Sequence, residues 1–494
     1  MIDSPIEKEV YAELSREELV AENLHQKEKI ATLEFQLAEL KRLVFGSKHE
    51  RFAPVVPDEQ LSLGLEGETK DFTEKKTELV QYTRTKPEEK KQPVRQALPA
   101  HLHRERIVIE PKEDVTDCKQ IGEEITEELE YIPGKLFVKQ YVRPKYAKAN
   151  GEGIITADMP VRPIEKAIAG PGLLAQTIID KFCDHLPIYR QLERFKREGV
   201  TLASSTVGEW VSGVCTLLSP LYDVLKKEIL SSDYLQADET PIKVLDRSKK
   251  GKTHRGFHWV YHAPVKRLVL FDYREGRSRE GPRDLLKNFS GYLQTDGYGV
   301  YDDFDQKNGI TLVNCFAHAR RKFDKAMEND RELATHALTL IQHLYAVERD
   351  IREQNLDCLS VRREKSAPLL EELWHWMEQN RHKVLPKSLI GEAIHYALAR
   401  KKQLSLFLTD GKLHIDNNLV ENSIRPVAIG RKNYLFAGSH EGARRAAMLY
   451  SLLGTCKMHK VNPFDWLCDI LCRIPAHHAN RLTELLPNNW IAPQ

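Results

Sequence analysis

At 494 residues the chain exceeds one ordinary domain, and its length suggests about three. It is 41% hydrophobic and 30% charged, which excludes a fibrous or membrane-embedded class and fits a globular protein with a heavily charged surface. A net charge of +2 excludes a polycation, so any nucleic-acid contact has to rest on local basic patches.

No apolar run approaches the ~20 residues of a membrane span. Residues 1–20 lack the basic start and apolar run of a secretory signal. The cysteines at 118, 183, 215, 315, 358, 456, 468 and 472 form no paired framework. A cytoplasmic protein with reduced thiols and no membrane partner is therefore expected.

Residues 16–45 read as one helix, with Ile30, Leu33, Leu37, Leu40 and Val44 at a/d spacing. Both a dimerising coiled coil and an amphipathic helix docked on its own domain satisfy that pattern. Gly46 ends it, and the segment 1–52 closes on the basic stretch GSKHERF. Residues 53–100 are polar, rich in Lys and Glu and contain Pro, the composition of a flexible linker. Residues 101–165 alternate (RIVIEP, KLFVKQYVRPKY) and suggest a small β module.

Residues 166–230 form amphipathic helical blocks. The junction REGVTLASSTVGEWV has the pattern of a helix-turn-helix: Gly199 permits the turn, Ser204 or Ser205 caps the next helix, and Val207, Trp210 and Val211 face inward. A DNA-binding role would put Ser205, Thr206 and Glu209 at a groove; an ordinary helical hairpin has the same pattern.

From residue 234 the pattern becomes YLQAD, GFHWVYHA, RLVLFDY, GYLQTD and TLVNCF, five candidate strands. Short helices are expected at REGPRDLLKNF and around 298–305. Short connections make the first three strands a meander, and helical connections let the fourth and fifth pair in parallel. That order is the order of a ribonuclease-H-like sheet, within a domain at 231–440. Residues of about 325–403 read as a helical insertion, and 441–494 as a C-terminal helical segment. The fold class is multidomain α+β.

The echo YLQAD/YLQTD ends on Asp238 and Asp296. In this sheet order the first and fourth strands are central neighbours, so both acids reach the ligand-binding ends of their strands. Two such carboxylates repel unless a cation lies between them, and magnesium with its preference for oxygen ligands answers that need. A third acid is supplied by HIDNNLVENSIRPVAIGRKNYLFAGS (414–439). Asp416 or Asn417 caps a helix, with Glu421 about one turn inside and Arg425 on the same face. Pro426 is expected to end or kink that helix, and Arg431 and Lys432 to present a basic edge. Cys315 and His318 have a metal-like spacing, but without a second pair they read as a buried thiol and a helix-start imidazole, with His318 a candidate for DNA contact.

With these stretches, and with LKRLVFGSKHERF (40–52), LPIYRQLERFKREGVTLASSTVGEWV (186–211) and CFAHARRKF (315–323), the chain resembles the insertion-sequence-66 family of DDE transposases over nearly its whole length. The resemblance implies an acidic triad of Asp238, Asp296 and Glu421 holding two Mg2+ (or Mn2+) ions, and metal-dependent DNA cleavage and strand transfer at element ends. It also implies terminal inverted repeats and target DNA as partners, a homodimer, small accessory proteins and a bacterial cytoplasm. Family members usually carry paired CxxC cysteines before the helical block. Here only Cys118 stands in that region, and His101 and His103 do not complete a four-ligand set, so no zinc is expected. Two alternatives remain: a catalytically inactive DNA-binding remnant, and a ribonuclease-H-type nuclease.

Overall fold

The computed structural model describes residues 167–245, 252–305 and 309–493, with short pieces between 134 and 165. The expected N-terminal helix and linker, and most of the β module, lie outside the described residues. From that module two short antiparallel strands are described, β1 (Lys145–Ala147) and β2 (Ile154–Thr156).

Three helices follow: α1 (Pro171–Phe182), α2 (Ile188–Arg197) and α3 (Ser204–Leu230). Pro171 opens α1, where its missing N–H costs nothing. Gly199 (φ +83°) turns the chain between α2 and α3, as expected. The expected serine cap is not found. Ala203 holds the extended N-cap backbone, and both serines are already helical, so no hydroxyl caps the end. Val207, Trp210 and Val211 are buried, and the stripe continues through Val214, Leu218, Leu221, Leu225 and Ile229.

The five strands form one sheet: β3 (Tyr234–Leu245), β4 (Thr253–Ala263), β5 (Leu268–Arg274), β6 (Gly291–Thr295) and β7 (Ile310–Asn314). The order is β5-β4-β3-β6-β7. The first three pair antiparallel, and β6 and β7 join in parallel, so β3 and β6 are central neighbours. One expectation changes. The first strand does not stop at Asp238 but runs on through Pro241 to Leu245. Only Tyr234–Gln236 pair with β6, whereas Gln236–Leu245 all pair with β4. The antiparallel partner carries the strand onward, and Pro241 is tolerated because β6 has already ended on its open side. α4 (Glu280–Leu285) is found where a helix was expected, but the segment around 298–305 forms only a single 3-10 turn, Asp302–Phe304.

Beyond β7 come α5 (Phe316–Ala326), α6 (Arg331–Gln354), α7 (Cys358–Val361), a π-turn at Arg362–Ser366, α8 (Ala367–Asn380), α9 (Leu389–Ala399) and α10 (Lys401–Ser405). They share a core of their own, including Phe323, Ile341, Leu344, Leu373 and Ile394. Arg362 is buried there. It forms a bidentate pair with Glu348 (both bonds 2.7 Å) and donates to the carbonyls of Phe407 and Leu413.

The chain returns to the sheet as α11 (Asn418–Tyr434), α12 (His440–Met458) and α13 (Pro463–Arg473). α12 solves the exposed edge of β5. Ser451 Oγ accepts from Phe271 N–H (2.7 Å), while the Tyr222 hydroxyl donates to the Phe271 carbonyl (2.7 Å). The contact is so close that a Cβ on Gly454 would come within 2.8 Å of Val269 Cγ1. Among the described residues no helix is long and apolar enough to cross a membrane.

Ser451→Ala leaves the buried Phe271 N–H unpaired. It is expected to cost about 1–3 kcal/mol, read as a lower urea midpoint with an unchanged m-value.

Candidate active site

The register between β3 and β6 decides where the acids stand. Tyr234, Leu235 and Gln236 pair with Tyr292, Leu293 and Gln294. The same offset brings Asp238 level with Asp296, so the repeated phrase is one register written twice. Gln236 and Asp238 are two residues apart on one strand and share a face of the sheet.

That face is gripped by α11. Gln236 Nε2 donates to Gln294 Oε1 (2.9 Å) and to the Asp416 carbonyl (3.0 Å), and its Oε1 accepts from Val420 N–H (3.2 Å). Gln294 Nε2 donates to the His414 carbonyl (2.8 Å), and the Tyr234 hydroxyl donates to Gln294 Oε1 (2.5 Å). Both glutamines are fully buried. They hold the start of α11, with Glu421 in its first turn, against the strands that carry the aspartates. The sequence reading passed over these glutamines, although the signal was present: an identical residue two positions before each acid.

Asn417 occupies the N-cap of α11 without a side-chain bond, whereas Asp416 Oδ1 accepts from Asn418 N–H (3.1 Å). Pro426 does not end the helix, which continues to Tyr434. The Asn422 carbonyl that loses a donor there belongs to an exposed residue open to water.

Asp296 follows β6 in a turn held by side chains. Its Oδ1 accepts from Tyr298 N–H (2.8 Å). Its carbonyl accepts from the Tyr396 hydroxyl (2.7 Å), and the Gly297 carbonyl from Arg400 (3.0 Å). Gly297 has φ +84°, and a Cβ there would meet Arg400 Nε at 2.7 Å and Tyr396 Oη at 2.8 Å. Tyr396 lies on α9 and Arg400 at its end. The inserted helices therefore fix the second aspartate.

Burial, reinforced by the charges of Glu239, Asp296 and Glu421, pushes the Asp238 carboxyl well above the ordinary carboxylate range. Burial also raises Glu421; Asp416 and Asp296 add to the shift, and Arg321 and Arg425 oppose it. Glu239 is a further acid at the site. Its carboxyl is raised mainly by burial, and it receives Arg277 Nε at 2.8 Å, with the guanidinium 3.9 Å above the Tyr298 ring. Among the described residues no three His, Cys, Asp or Glu side chains are gathered tightly enough to hold a metal ion as they stand. The donor chemistry nevertheless suits a hard divalent cation: oxygen ligands, and at Asp238 neighbouring charges that are all negative.

The remaining candidates divide. Arg425 and Lys432 are exposed on α11. Arg431, expected on the same edge, is turned inward, where it donates to the Pro241 carbonyl. The carbonyl is available because that side of β3 has lost its β6 partner. His318 is not at an open mouth but largely buried, with Nε2 3.8 Å from Glu421 Oε1. Burial pushes its imidazole down to about 4, keeping it neutral. Ser205 and Glu209 are exposed and Thr206 half-buried at the start of α3, away from the side that packs into the core.

The chain's family matches place it in a class of DNA-rearranging proteins. Residues 166–445 match the family described as "Transposase IS66 family", and residues 451–488 the "IS66 C-terminal element". Residues 32–107 match "Transposase C of IS166 homeodomain". An uncharacterized protein of Sinorhizobium fredii, y4qI, is 35% identical over 97% of this chain and 92% of its own length. A second from that organism, y4hP, is 32% identical over 93% of this chain and 89% of its own. The chain belongs to the IS66 transposase family. Membership makes transposition its functional class and DNA its partner.

One expectation is overturned. Residues 115–147 match the "zinc-finger binding domain of transposase IS66", so the absence of zinc inferred from the lone Cys118 is corrected. The criterion applied was a four-ligand count, which Cys118, His101 and His103 did not fill, whereas the match is to the module as a whole.

Two outcomes follow from the site. The fold raises the pKa values of Asp238 and Glu421, so their favourable neutral forms are fully populated below about pH 4 and that stability is lost as pH rises through the raised values. In chelator, Asp238→Asn is expected to melt higher than the parent above neutrality, with the difference closing toward pH 4. Gln236→Leu strands the Asp416 carbonyl and leaves the Val420 N–H only its bond to the Asn417 carbonyl (3.1 Å), and is expected to cost about 1–3 kcal/mol in chemical denaturation.

Proposed function

We propose that Asp238, Asp296 and Glu421 form the acidic triad of a DNA cleavage and strand-transfer site on a ribonuclease-H-like domain. What supports this reading is that acids from β3, the turn after β6 and the first turn of α11 lie near enough for Asp296 and Glu421 both to raise the buried Asp238 carboxyl. Two Mg2+ (or Mn2+) ions held by these acids would supply Lewis acidity for in-line attack, first by water and then by a 3′-hydroxyl, on a phosphodiester.

The chain's own residues do the rest. The glutamine clamp fixes Glu421 relative to the strands. Tyr396 and Arg400 orient the Asp296 turn. Neutral His318 lies beside Glu421 without competing as a fixed positive charge. Arg425 and Lys432 neutralise phosphates on either side of the scissile bond, while Arg431 fastens α11 to β3. Ser205, Thr206 and Glu209 meet a groove of the terminal inverted repeat. The N-terminal segment pairs two protomers, and accessory proteins of the same element join the complex.

The test is strand cleavage of a supercoiled plasmid carrying the repeats that border the gene. With magnesium the parent is expected to nick and join. Asp296→Ala is expected to bind the same DNA yet fall to the no-protein background. Equal cleavage by the two, above the no-protein background, would refute the triad, and binding without cleavage by either would leave the DNA-binding remnant as the reading.

A further inference from the structure

At the end of α11 the chain does something costly. Leu435 takes φ +51°, ψ −43°, and Phe436 N–H bonds back to the Tyr434 carbonyl (2.5 Å), a three-residue turn of the strained hand. The turn exposes two large apolar side chains, Leu435 at 65% and Phe436 at 43%. It is nevertheless anchored. Ala437 N–H donates to the Lys243 carbonyl and Leu245 N–H to the Ala437 carbonyl, both at 2.8 Å, so the tip is tied to the far end of β3.

The surroundings are cationic. Lys243 and Arg255 are direct cross-strand partners, both exposed, and flank the anchored tip from the sheet face opposite the one that α11 grips. Like charges in that arrangement repel and call for an anion above them. Arg425 and Lys432, seven residues apart, lie along one exposed face of α11 and lead from Glu421 to the tip. Among the described residues these four cations have no salt-bridge partner.

We propose that this face is a track for duplex DNA and that the Leu435–Phe436 tip is a wedge that unstacks a base step inside the element end. This rests on the acids being the cleavage site. The distance is set twice over. Fourteen helical residues separate Glu421 from Leu435, a rise of about 21 Å at about 1.5 Å each. Six strand residues separate Asp238 from Val244, about 20 Å at about 3.3 Å each. At about 3.4 Å per base pair, the wedge meets the duplex about six base pairs from the cut phosphate. Apolar wedges flanked by cations are the chemistry that enters an unstacked step, and the partner is duplex DNA bound at its end.

The experiment uses the full chain with calcium in place of magnesium, and duplexes carrying the bordering repeat with 2-aminopurine placed at one position at a time from the cut inward. Emission is expected to rise about threefold or more at roughly five to seven base pairs. Phe436→Ala is expected to return it to the free-duplex value, and Phe436→Trp to keep the base unstacked. Leu435→Gly relieves the positive φ, so it folds at least as well as the parent, and is expected to weaken the signal. No peak with the parent, a peak elsewhere, or a peak that survives Phe436→Ala would overturn the wedge. Asp296→Ala separates the two claims: it is expected to keep the emission peak while losing cleavage in magnesium, so the triad can fail without the wedge failing.

Discussion

Two buried amides, Gln236 and Gln294, hold this molecule's arrangement together. Each uses its donors and its acceptor on one another, the hydroxyl of Tyr234, and the backbone entering α11. A helix that begins 173 residues after the end of β3 is thereby docked by directional bonds rather than by apolar contact alone. Directional bonds fix rotation as well as position, which matters because Glu421 stands only one turn from the clamp.

The price of the site is electrostatic. Asp238 is surrounded by acids, and the fold meets this with sturdy framing rather than with a neutralising partner. Glu239, its neighbour, is paired with Arg277 yet still adds to the charge that Asp238 feels. The inserted helices take part in the framing. Arg362, in a π-turn, ties Glu348 to the carbonyls just before α11, and α9 reaches across to the Asp296 turn. A buried pair of this kind is weak as a source of net stability but strict about geometry, and geometry is what a set of converging carboxylates requires.

Much of this was legible along the chain. The alternation and the short connections gave the strand directions, and the repeated phrase gave a shared register. The inward stripe of α3 followed from 3.6-residue spacing. The failures have a common cause: each depended on a partner far away in sequence. β3 was cut short at Asp238 because nothing local says that β4 continues to pair. Of the two outcomes expected at Pro426, an end or a kink, the end does not occur, because exposure of Asn422 is a tertiary fact. Arg431 looked solvent-facing because the open carbonyl of Pro241 exists only after β6 has ended. His318 was read as a helix-start imidazole, as found, but its candidacy for DNA contact overlooked its burial beside Glu421, which depends on how α5 meets α11. The zinc module was missed for a different reason, a ligand count standing in for a whole-module pattern.

Gly297 has a consequence for how copies of such a gene age. Its φ of +84° and its crowding by Tyr396 and Arg400 leave little room for any other residue, yet it lies in a turn rather than in either hydrophobic core. A single nucleotide change there would misplace Asp296 without unfolding the protein. If Asp296 acts in the proposed triad, the result would be a well-folded chain able to occupy its DNA and unable to process it. Such a chain would compete with intact copies in the same cell, so decay at this one codon would turn a mobile gene into a brake on its own relatives.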